Sequence, residues 1–449
     1  MGSFESPTHI GFIGLGAMGL GMASDLQRRP QYTVTGFDIW QPSLDKFVAS
    51  GGRAGGSPRD VAQTSQFLIC MAATAQQLDS ILFDNLAIKE LPKDATVVLC
   101  STVPPTYYDT LPARIANIGR PDVAVVDAPV SGGTLRAANG TLTIFAAGSS
   151  DALARATALL HDMSERLYII SGGLGAASKV KMINQLLVGT HIAAASEAMA
   201  LATKAGLDTR EVFEIIQCTS GSSWAWSNRV PHMLEEDWTP LSALNIFVKD
   251  MGIVVSTGRA AQFPLPIAAL TEQLYISGSA QGFGKEDDAG LVRLFLQGPG
   301  ESTIGKSKSA SFGRTAMESL SGAAPKVAVI GLDEVGRNLA VTVAQSSFEV
   351  HVFDADEKEI QKLVASSAST VKLLDQLLAS IHLVAAAEAM AFATHLGLDA
   401  SQIFELLRNA AGWSWVFESR VPKLLNGTHD RLTWVAIKAG CVPVIARAN

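Results

Sequence analysis

The stretch HIGFIGLGAMGLGMASDLQ, residues 9–27, decides how the first part of the chain folds. An apolar run leads into Gly14, and a helical pattern without a breaking proline follows Gly19. Gly14, Gly16 and Gly19 have the spacing G-x-G-x-x-G, which combines a tight turn, a close approach of the backbone to a ligand and close helix–strand packing. The stretch therefore predicts a strand, a glycine-rich turn and a helix whose N-terminus faces a pyrophosphate.

An acidic residue at the end of the next strand supports this prediction. Asp38 lies 24 residues after Gly14, where a carboxylate accepts hydrogen bonds from the adenosine ribose. The next residues, Ile39 and Trp40, supply no cation for a 2′-phosphate, so NAD is favoured over NADP. A tight strand–helix turn without a ligand is the alternative. The predicted cofactor residues of this region are Gly14, Leu15, Gly16, Ala17, Met18, Gly19 and Asp38.

The pattern of strands and helices changes along the chain. Residues 9–170 alternate β-rich runs (HIGFIG, TVTGFD, FLICMA, TVVLCS, VAVVDAPV, LTIFAAG and RLYII) with helical stretches, which predicts an α/β fold with a doubly wound parallel sheet of the Rossmann type. From Gly175 the pattern is helical and begins with one long helix. The predicted domains are 1–173 (NAD-binding), 174–296 (all-α), 297–324 (Gly- and Ser-rich linker), 325–366 (remnant of a second Rossmann domain) and 367–449 (partial second all-α domain).

Composition excludes several classes of function. The 449 residues carry a net charge of −7, which gives no electrostatic case for binding nucleic acid or an anionic membrane. The four cysteines are scattered without C-x-x-C spacing, which favours reduced thiols over disulfides or zinc, and we expect no metal site. MGSFES fits the loose pattern for myristoylation of Gly2, but Glu5 and the early strand argue against it, and a cytoplasmic location is the default expectation.

The segment DAPVSGG, residues 127–133, ends a predicted strand and opens a loop. Ser131 offers a hydroxyl, and Gly132 and Gly133 offer unobstructed backbone amides. Such a loop suits a small carboxylate, although an ordinary glycine-containing turn is an equal alternative.

The segment KVKMINQ places three polar residues on a helix. Lys181, Asn184 and Gln185 stand at i, i+3 and i+4 and share one face. The positions between them are apolar, so the three interrupt a buried helix rather than line a solvated one. Polar groups in such surroundings need partners, whereas Lys179 fits an ordinary solvated position.

Residues 9–296 resemble the β-hydroxyacid dehydrogenase family in the segments GFIGLGAMG, STVPP, DAPVSGG, GLGAASKVKMINQ and FVKD, which follow the family's order. The resemblance implies that Lys181 is the catalytic lysine and that the loop of Ser131 and Gly132 binds the substrate carboxylate. It implies that Asn184 and Gln185 orient substrate and lysine. It also places two further residues near the nicotinamide ribose and one at the adenine-side loop: Thr102, Lys249 and Met71.

The implied reaction is reversible hydride transfer between NAD and a small 3-hydroxy acid, such as 3-hydroxyisobutyrate or L-threonate, and the helix after Gly175 is most similar to the L-threonate branch. Lys181 must be neutral to accept the hydroxyl proton, and burial in a cleft would lower its pKa toward 7–8. A non-catalytic NAD- or metabolite-binding protein is one alternative. Imine reduction or decarboxylation of phosphorylated sugar acids is another. The decarboxylation would need a cluster of cations, whereas only Arg136 and Lys179 are near these motifs.

The chain contains an internal repeat. Residues 368–407 match residues 177–216 without a gap, and VAVIGLDEVG (327–336) matches IGFIGLGAMG. In the second copy Asp333 replaces the glycine that would touch the pyrophosphate. Two like charges about 4 Å apart cost about 4 kcal/mol at an effective dielectric of 20, so we predict that this copy binds no dinucleotide.

The second copy is also too short for a complete site. Asp38 and Lys181 are 143 residues apart, but their counterparts Asp354 and Lys372 are only 18 apart. Most of the sheet and the segments STVPP and DAPVSGG have no counterpart. Other polar positions also differ in the second copy. Asp375 takes the place of Asn184, and Lys438 and Ala439 take the places of Lys249 and Asp250.

The helical part of the second copy, about 368–427, keeps its apolar faces. We therefore expect it to pack on the first all-α domain in the manner of a partner subunit, so that the protein is a homo-oligomer or an internal pseudo-dimer. An imperfect gene model or a decaying duplicate is the alternative interpretation. The expected ligand is a small hydroxy acid, and we expect the protein to bind neither nucleic acid nor a membrane.

Overall fold

The computed structural model describes residues 7–296, 304–305, 326–330, 349–353 and 358–427. Several predictions lie outside these residues: those on Gly2, on Asp333 and Asp354, on Lys438 and Ala439, on Cys441, and on nearly all of the linker 297–324. We call residues 7–170 the α/β lobe, residues 176–296 the helical lobe, and the described residues from 326 onward the C-terminal copy.

A twisted sheet forms the centre of the α/β lobe. Six strands run parallel in the order β3-β2-β1-β4-β5-β6; β8 then pairs antiparallel with β6, β7 pairs antiparallel with β8, and β9 pairs parallel with β8. The order 3-2-1-4-5-6 confirms the predicted Rossmann-type fold. The strands are β1 (Thr8–Ile13), β2 (Tyr32–Phe37), β3 (Arg53–Ala54), β4 (Phe67–Cys70), β5 (Thr96–Leu99), β6 (Ala124–Asp127), β7 (Val130–Ser131), β8 (Leu142–Gly148) and β9 (Ser164–Ile169).

Helices cover both faces of this sheet because alternate strand residues point to opposite sides. Phe12 belongs to one buried apolar cluster and its neighbour Ile13 to another. The predicted single run VAVVDAPV is two strands, since the chain leaves β6 at Asp127 and resumes in β7 at Val130. The helices are α1 (Gly19–Gln27), α2 (Gln41–Ala49), α3 (Pro58–Ala62), α4 (Ala75–Asp79), α5 (Ala87–Glu90), α6 (Tyr107–Asn117), α7 (Gly133–Ala138) and α8 (Ser150–Asp162).

The helical lobe is built around one long helix, α9 (Ala176–Lys204). Gly189 does not break this helix. It lies against α12, where an added Cβ would come within 2.8 Å of Met251 Sδ. The remaining helices are α10 (Thr209–Gln217), α11 (Trp224–Glu235), α12 (Leu244–Ala260), α13 (Pro266–Ala280) and α14 (Arg293–Leu296).

The C-terminal copy keeps a fragment of each lobe. Strands β10 (Lys326–Ile330) and β11 (Glu349–Phe353) pair in parallel. They are followed by α15 (Lys358–His395), α16 (Ala400–Leu407) and α17 (Trp415–Leu425). Helix α15 begins ten residues before the repeat at 368, because it joins the counterpart of α2 directly to the counterpart of α9. The sheet that separates these helices in the first copy has no counterpart here.

The two copies pack with approximate two-fold symmetry, in which equivalent residues differ by 191 in number. The backbone N–H of Trp224 donates to the carbonyl of Trp413 (3.1 Å), and that of Trp415 donates to the carbonyl of Ser222 (3.0 Å). The apolar cores of the copies are continuous, as when Phe263 stacks on Phe392 with ring centroids 5.3 Å apart. The predicted packing of the second helical part on the first is thus present within one chain.

Two equivalent histidines meet where α9 crosses α15. The rings of His191 and His382 have centroids 4.3 Å apart, and no described residue forms a hydrogen bond with any of their nitrogens. Burial lowers the pKa of His382 to about 3 and that of His191 well below its usual value, so both rings are neutral.

Two helical segments, Ala176–Lys204 and Thr370–His395, are long and apolar enough to cross a membrane by length and composition alone. However, 83% of the most apolar window of the first and 61% of that of the second are buried inside the protein. Their apolar character is accounted for by the packing of the two copies.

Candidate active site

The glycine-rich turn between β1 and α1 has the shape expected for a dinucleotide. Gly14 has φ +95°, and an added Cβ would lie 2.5 Å from the carbonyl oxygen of Met71. A Cβ at Gly19 would lie 1.9 Å from the carbonyl oxygen of Gly14. Beside Gly16, by contrast, an added Cβ would meet no atom within 4 Å. The space left open at Gly16 fits a pyrophosphate approaching the backbone, while Gly14 and Gly19 shape the turn.

Asp38 lies at the end of β2 beside this turn. Its carboxylate accepts hydrogen bonds from the backbone N–H groups of Leu15 (2.6 Å) and Trp40 (2.7 Å). Ile39 and Trp40 are largely exposed and provide no positive charge. The arrangement fits the ribose hydroxyls of NAD and disfavours the 2′-phosphate of NADP.

Lys181 lies in the second turn of α9, where the helical lobe meets the α/β lobe. The residue is 7% exposed, and its amine forms no hydrogen bond with any described residue. Burial lowers the pKa of Lys181 to about 8; the charge of Asp250 opposes this effect and that of Lys249 adds to it. With this pKa the amine is neutral in about one molecule in ten at pH 7.

A series of hydrogen bonds and one ion pair, which we call the interlobe network, links Asn184, Gln185, Asp250, Lys249 and Thr102. Asn184 Nδ2 donates to Gln185 Oε1 (3.1 Å), and Gln185 Nε2 donates to Asp250 Oδ2 (2.6 Å). Lys249 Nζ is 3.0 Å from Asp250 Oδ1 and donates to the carbonyl of Thr102 (2.9 Å). The network thus crosses from α9 through α12 to the loop after β5.

Four of these five residues were predicted as site residues, and Asp250 was not. Its carboxylate is almost fully buried and is the partner that Gln185 requires. The signal in the sequence was an acid directly after Lys249 on an otherwise apolar helix, which indicates a buried ion pair.

A second missed contact ties the start of α9 to the sheet. The buried Asp127, at the end of β6, accepts hydrogen bonds from Ser178 N (2.9 Å) and Ser178 Oγ (2.8 Å). Burial raises the pKa of Asp127 to about 6, although these hydrogen bonds oppose the shift. Ser178 is one turn before Lys181, and Asp127 is four residues before Ser131. The contact therefore brings the lysine helix to the end of the sheet that carries the serine loop.

The loop that follows β6 has a backbone that requires glycine. Ser131 is buried at the end of β7, and Gly132 and Gly133 have φ values of +137° and +75°. A Cβ at Gly132 would also lie 2.8 Å from the side chain of Arg136. No hydrogen bond joins Ser131 to Lys181 among the described residues.

Two equivalent positions that the structure describes in the C-terminal copy have different surroundings. Lys372 is exposed on α15. Asp375, the counterpart of Asn184, accepts hydrogen bonds from Gly221 N (2.6 Å) and Ser220 Oγ (2.9 Å) and so holds the first copy. The described residues also contain no cluster of three or more His, Cys, Asp or Glu side chains able to hold a metal ion.

A parallel sheet with a dinucleotide turn, joined to a helical lobe that buries one amine of lowered pKa, defines the class of nicotinamide-dependent dehydrogenases with two lobes. A family model described as the NAD binding domain of 6-phosphogluconate dehydrogenase matches residues 9–172 and 326–397. A second model, NAD-binding of NADP-dependent 3-hydroxyisobutyrate dehydrogenase, matches residues 175–295 and 366–439. The chain belongs to the β-hydroxyacid dehydrogenase family, and its cofactor is NAD.

Three similar proteins are each matched over nearly their whole length by about two thirds of this chain. The L-threonate dehydrogenase of Cupriavidus necator is 40% identical over 67% of this chain and 99% of its own length, and that of Escherichia coli is 35% identical over 65% and 95%. The crystal structure of 3-hydroxyisobutyrate dehydrogenase from Salmonella typhimurium is 36% identical, with a TM-score of 0.60, over 64% of this chain and 99% of that chain. The C-terminal copy is additional to the length of these proteins.

Proposed function

We propose that this enzyme interconverts a small 3-hydroxy acid of the L-threonate type and its 3-oxo product, with Lys181 as the general base and acid. The observation that carries the proposal is the burial of Lys181 beside the interlobe network, which lowers its pKa to about 8. The identity of 40% with an L-threonate dehydrogenase supports the substrate class.

The chemistry that this chain supplies is proton transfer at one nitrogen. NAD, when bound, supplies the hydride acceptor. Lys181 Nζ accepts the hydroxyl proton as the alcohol is oxidised and returns it in reduction. With a pKa near 10.5 only about one lysine in three thousand is neutral at pH 7, but with a pKa of about 8 it is about one in ten. This difference corresponds to about 3 kcal/mol.

The other predicted residues bind and orient in this proposal. Ser131, Gly132 and Gly133 hold the substrate carboxylate with a hydroxyl and backbone amides. Asn184 and Gln185 orient the substrate and the lysine. The cofactor is held by the turn from Gly14 to Gly19 and by Asp38 at the adenosine ribose. Thr102 and Lys249 lie near the nicotinamide ribose, and Met71 lines the adenine-side loop.

The test is NADH absorbance measured with a panel of 3-hydroxy acids that includes L-threonate and 3-hydroxyisobutyrate. We expect Lys181→Ala to lower kcat about 10²- to 10⁴-fold while NADH affinity is retained, because only proton transfer is lost. Lys204→Ala, at the exposed end of the same helix, is the matched control and keeps the wild-type rate. Equal rates for Lys181→Ala and wild type would remove the lysine from its role, and no turnover of any acid would favour a binding protein.

We further propose that the C-terminal copy makes the protein an internal pseudo-dimer. The symmetric backbone pairs between Ser222–Trp224 and Trp413–Trp415 and the continuous apolar core support this proposal. In this arrangement the C-terminal helices occupy the place of a partner subunit, and the molecule has one active site rather than two.

A further inference from the structure

Among the described residues, one hydrogen bond joins the C-terminal copy to a predicted site residue. The backbone N–H of Gly412 donates to Asn184 Oδ1 at 3.0 Å, in fully buried surroundings. Gly412 lies between α16 and α17. A Cβ there would lie 3.1 Å from Asn184 Oδ1 and 3.2 Å from Leu187 Cβ, so the absence of a side chain at Gly412 lets the backbone approach Asn184 closely.

This donor at one end and the carboxylate of Asp250 at the other together fix the orientation of the two amides between them. An amide side chain accepts through oxygen and donates through nitrogen, so an N–H group facing Asn184 requires its oxygen on that side. Asn184 Nδ2 is then turned to Gln185 Oε1, and Gln185 Nε2 to Asp250. If either amide were reversed, two donors would face each other in a buried position, which disfavours the reversed arrangement.

The same loop, Asn409–Trp413, which we call the docking loop, also reaches the other lobe. Arg166 Nη1, on β9, donates to the carbonyl of Asn409 at 3.1 Å. The docking loop therefore contacts the helical lobe through Gly412 and the α/β lobe through Asn409. These are the two lobes whose relative position sets the cleft between nicotinamide and substrate.

The two-fold symmetry places an equivalent contact, which we call the reciprocal contact, between Asp375 and the loop of Ser220 and Gly221. Its hydrogen bonds differ from those of Asn184, so the bond from Gly412 to Asn184 is not simply a feature of packing. There Asp375 accepts from both Gly221 N and Ser220 Oγ, and an ionised carboxylate has no hydrogen to donate onward. The residue equivalent to Ser220 in the docking loop is Ala411, which has no hydroxyl. Asn184 thus accepts one hydrogen bond and donates another, whereas Asp375 only accepts hydrogen bonds.

We propose that the docking loop is a positioning element of the active site: through Gly412 and Asn409 it orients Asn184 and the interlobe network beside Lys181. The second copy, which has no complete site of its own, would then complete the site of the first. This inference rests on the proposed function of Lys181 and Asn184.

The experiment compares two matched variants of the full-length chain. Gly412→Pro removes the N–H that Asn184 accepts. Gly221→Pro removes the equivalent N–H at the reciprocal contact, where no residue of the site lies. We expect Gly412→Pro to lower kcat/KM for the 3-hydroxy acid at least about tenfold, because misplaced reacting groups slow the reaction steeply. NADH affinity should stay within about twofold, and Gly221→Pro should keep the wild-type kcat/KM.

Wild-type kcat/KM in Gly412→Pro, or an equal fall in Gly221→Pro, would overturn the proposal. If Gly412→Pro does not fold, Arg166→Met decides, because it removes the solvent-exposed hydrogen bond to the carbonyl of Asn409. A fall of a few-fold in kcat/KM at an unchanged melting temperature would support the proposal, and an unchanged kcat/KM would overturn it.

If the proposed function is wrong, the wild-type protein will turn over no 3-hydroxy acid. This result separates failure of the proposed function from failure of the docking-loop proposal. The contact is then judged by hydrogen exchange of the Gly412 amide in wild type and in Asn184→Ala. Protection that is lost in Asn184→Ala supports the orienting bond. Exchange in the wild type as fast as that of an exposed amide overturns it.

Discussion

At the scale of single residues, Lys181 illustrates how an amine reaches a useful pKa by opposing effects. Burial is the larger effect and disfavours the charged form. The carboxylate of Asp250 favours the charged form, and the ammonium of Lys249 disfavours it. The pKa of about 8 is the balance of the three, so it should move in opposite directions when each neighbour is neutralised.

We expect Asp250→Asn to lower the pKa of Lys181 and Lys249→Met to raise it, each on the order of one unit. In the proposed mechanism oxidation requires the neutral amine of Lys181, so we expect kcat/KM to rise with pH through this pKa. The pH of half-maximal kcat/KM should therefore decrease in Asp250→Asn and increase in Lys249→Met. The measurement is kcat/KM against pH at saturating NAD, and shifts of both variants in one direction would contradict this account.

The sequence could predict part of this site because of helical geometry. Residues at i, i+3 and i+4 share a face of any α-helix. The proximity of Lys181, Asn184 and Gln185 could therefore be predicted without knowing the tertiary structure. Asp250 is 65 residues from Gln185, and Gly412 is 228 from Asn184. Contacts of that range depend on how α12 and the C-terminal copy pack, and no local pattern encodes them.

At the scale of elements, the strand–turn–helix of residues 8–27 was the most predictable part of the fold. Each glycine there has a distinct steric reason, and the reasons act within a few residues. The start of α15 was less predictable. Its first ten residues correspond to α2 and its later residues to α9, and only the absence of an intervening sheet lets them continue as one helix.

The steric reasons for two of these glycines lead to contrasting predictions. We expect Gly16→Ala to fold with a melting temperature close to that of the wild type, since its Cβ would meet no protein atom, but to bind NADH at least about tenfold more weakly. Gly19→Ala should be destabilised by roughly 2 kcal/mol or more, since its Cβ would overlap the carbonyl of Gly14.

Thermal unfolding and titration of NADH fluorescence separate the two effects. The wild type provides the reference for both measurements. Unchanged NADH affinity in Gly16→Ala would mean that the turn does not approach the cofactor.

At the scale of the whole molecule, the repeat in the sequence predicted which surfaces meet. The apolar faces of residues 177–216 recur in 368–407, and they pack against each other around His191 and His382. The asymmetry of this arrangement could not be derived from the repeat. It depends on the contacts of Asn184 and Asp375, which differ between the copies.

Removal of the C-terminal copy tests its role in the molecule. We expect a chain ending at residue 305 to dimerise or to lose solubility, because the face of α9 that packs on α15 would be exposed. Size-exclusion chromatography with light scattering measures the outcome, with the full-length chain as control. A soluble monomer with wild-type kcat/KM would contradict both the internal pseudo-dimer and the docking-loop proposal.

The crossing of α9 and α15 within one polypeptide also changes the thermodynamics of assembly. Separate subunits lose translational and rotational freedom when they associate, so their association depends on concentration. Here the tether replaces that bimolecular step by an intramolecular one with a fixed effective concentration. Dilution would therefore not separate the two copies. The C-terminal copy would remain packed beside the proposed active site even at low protein concentration.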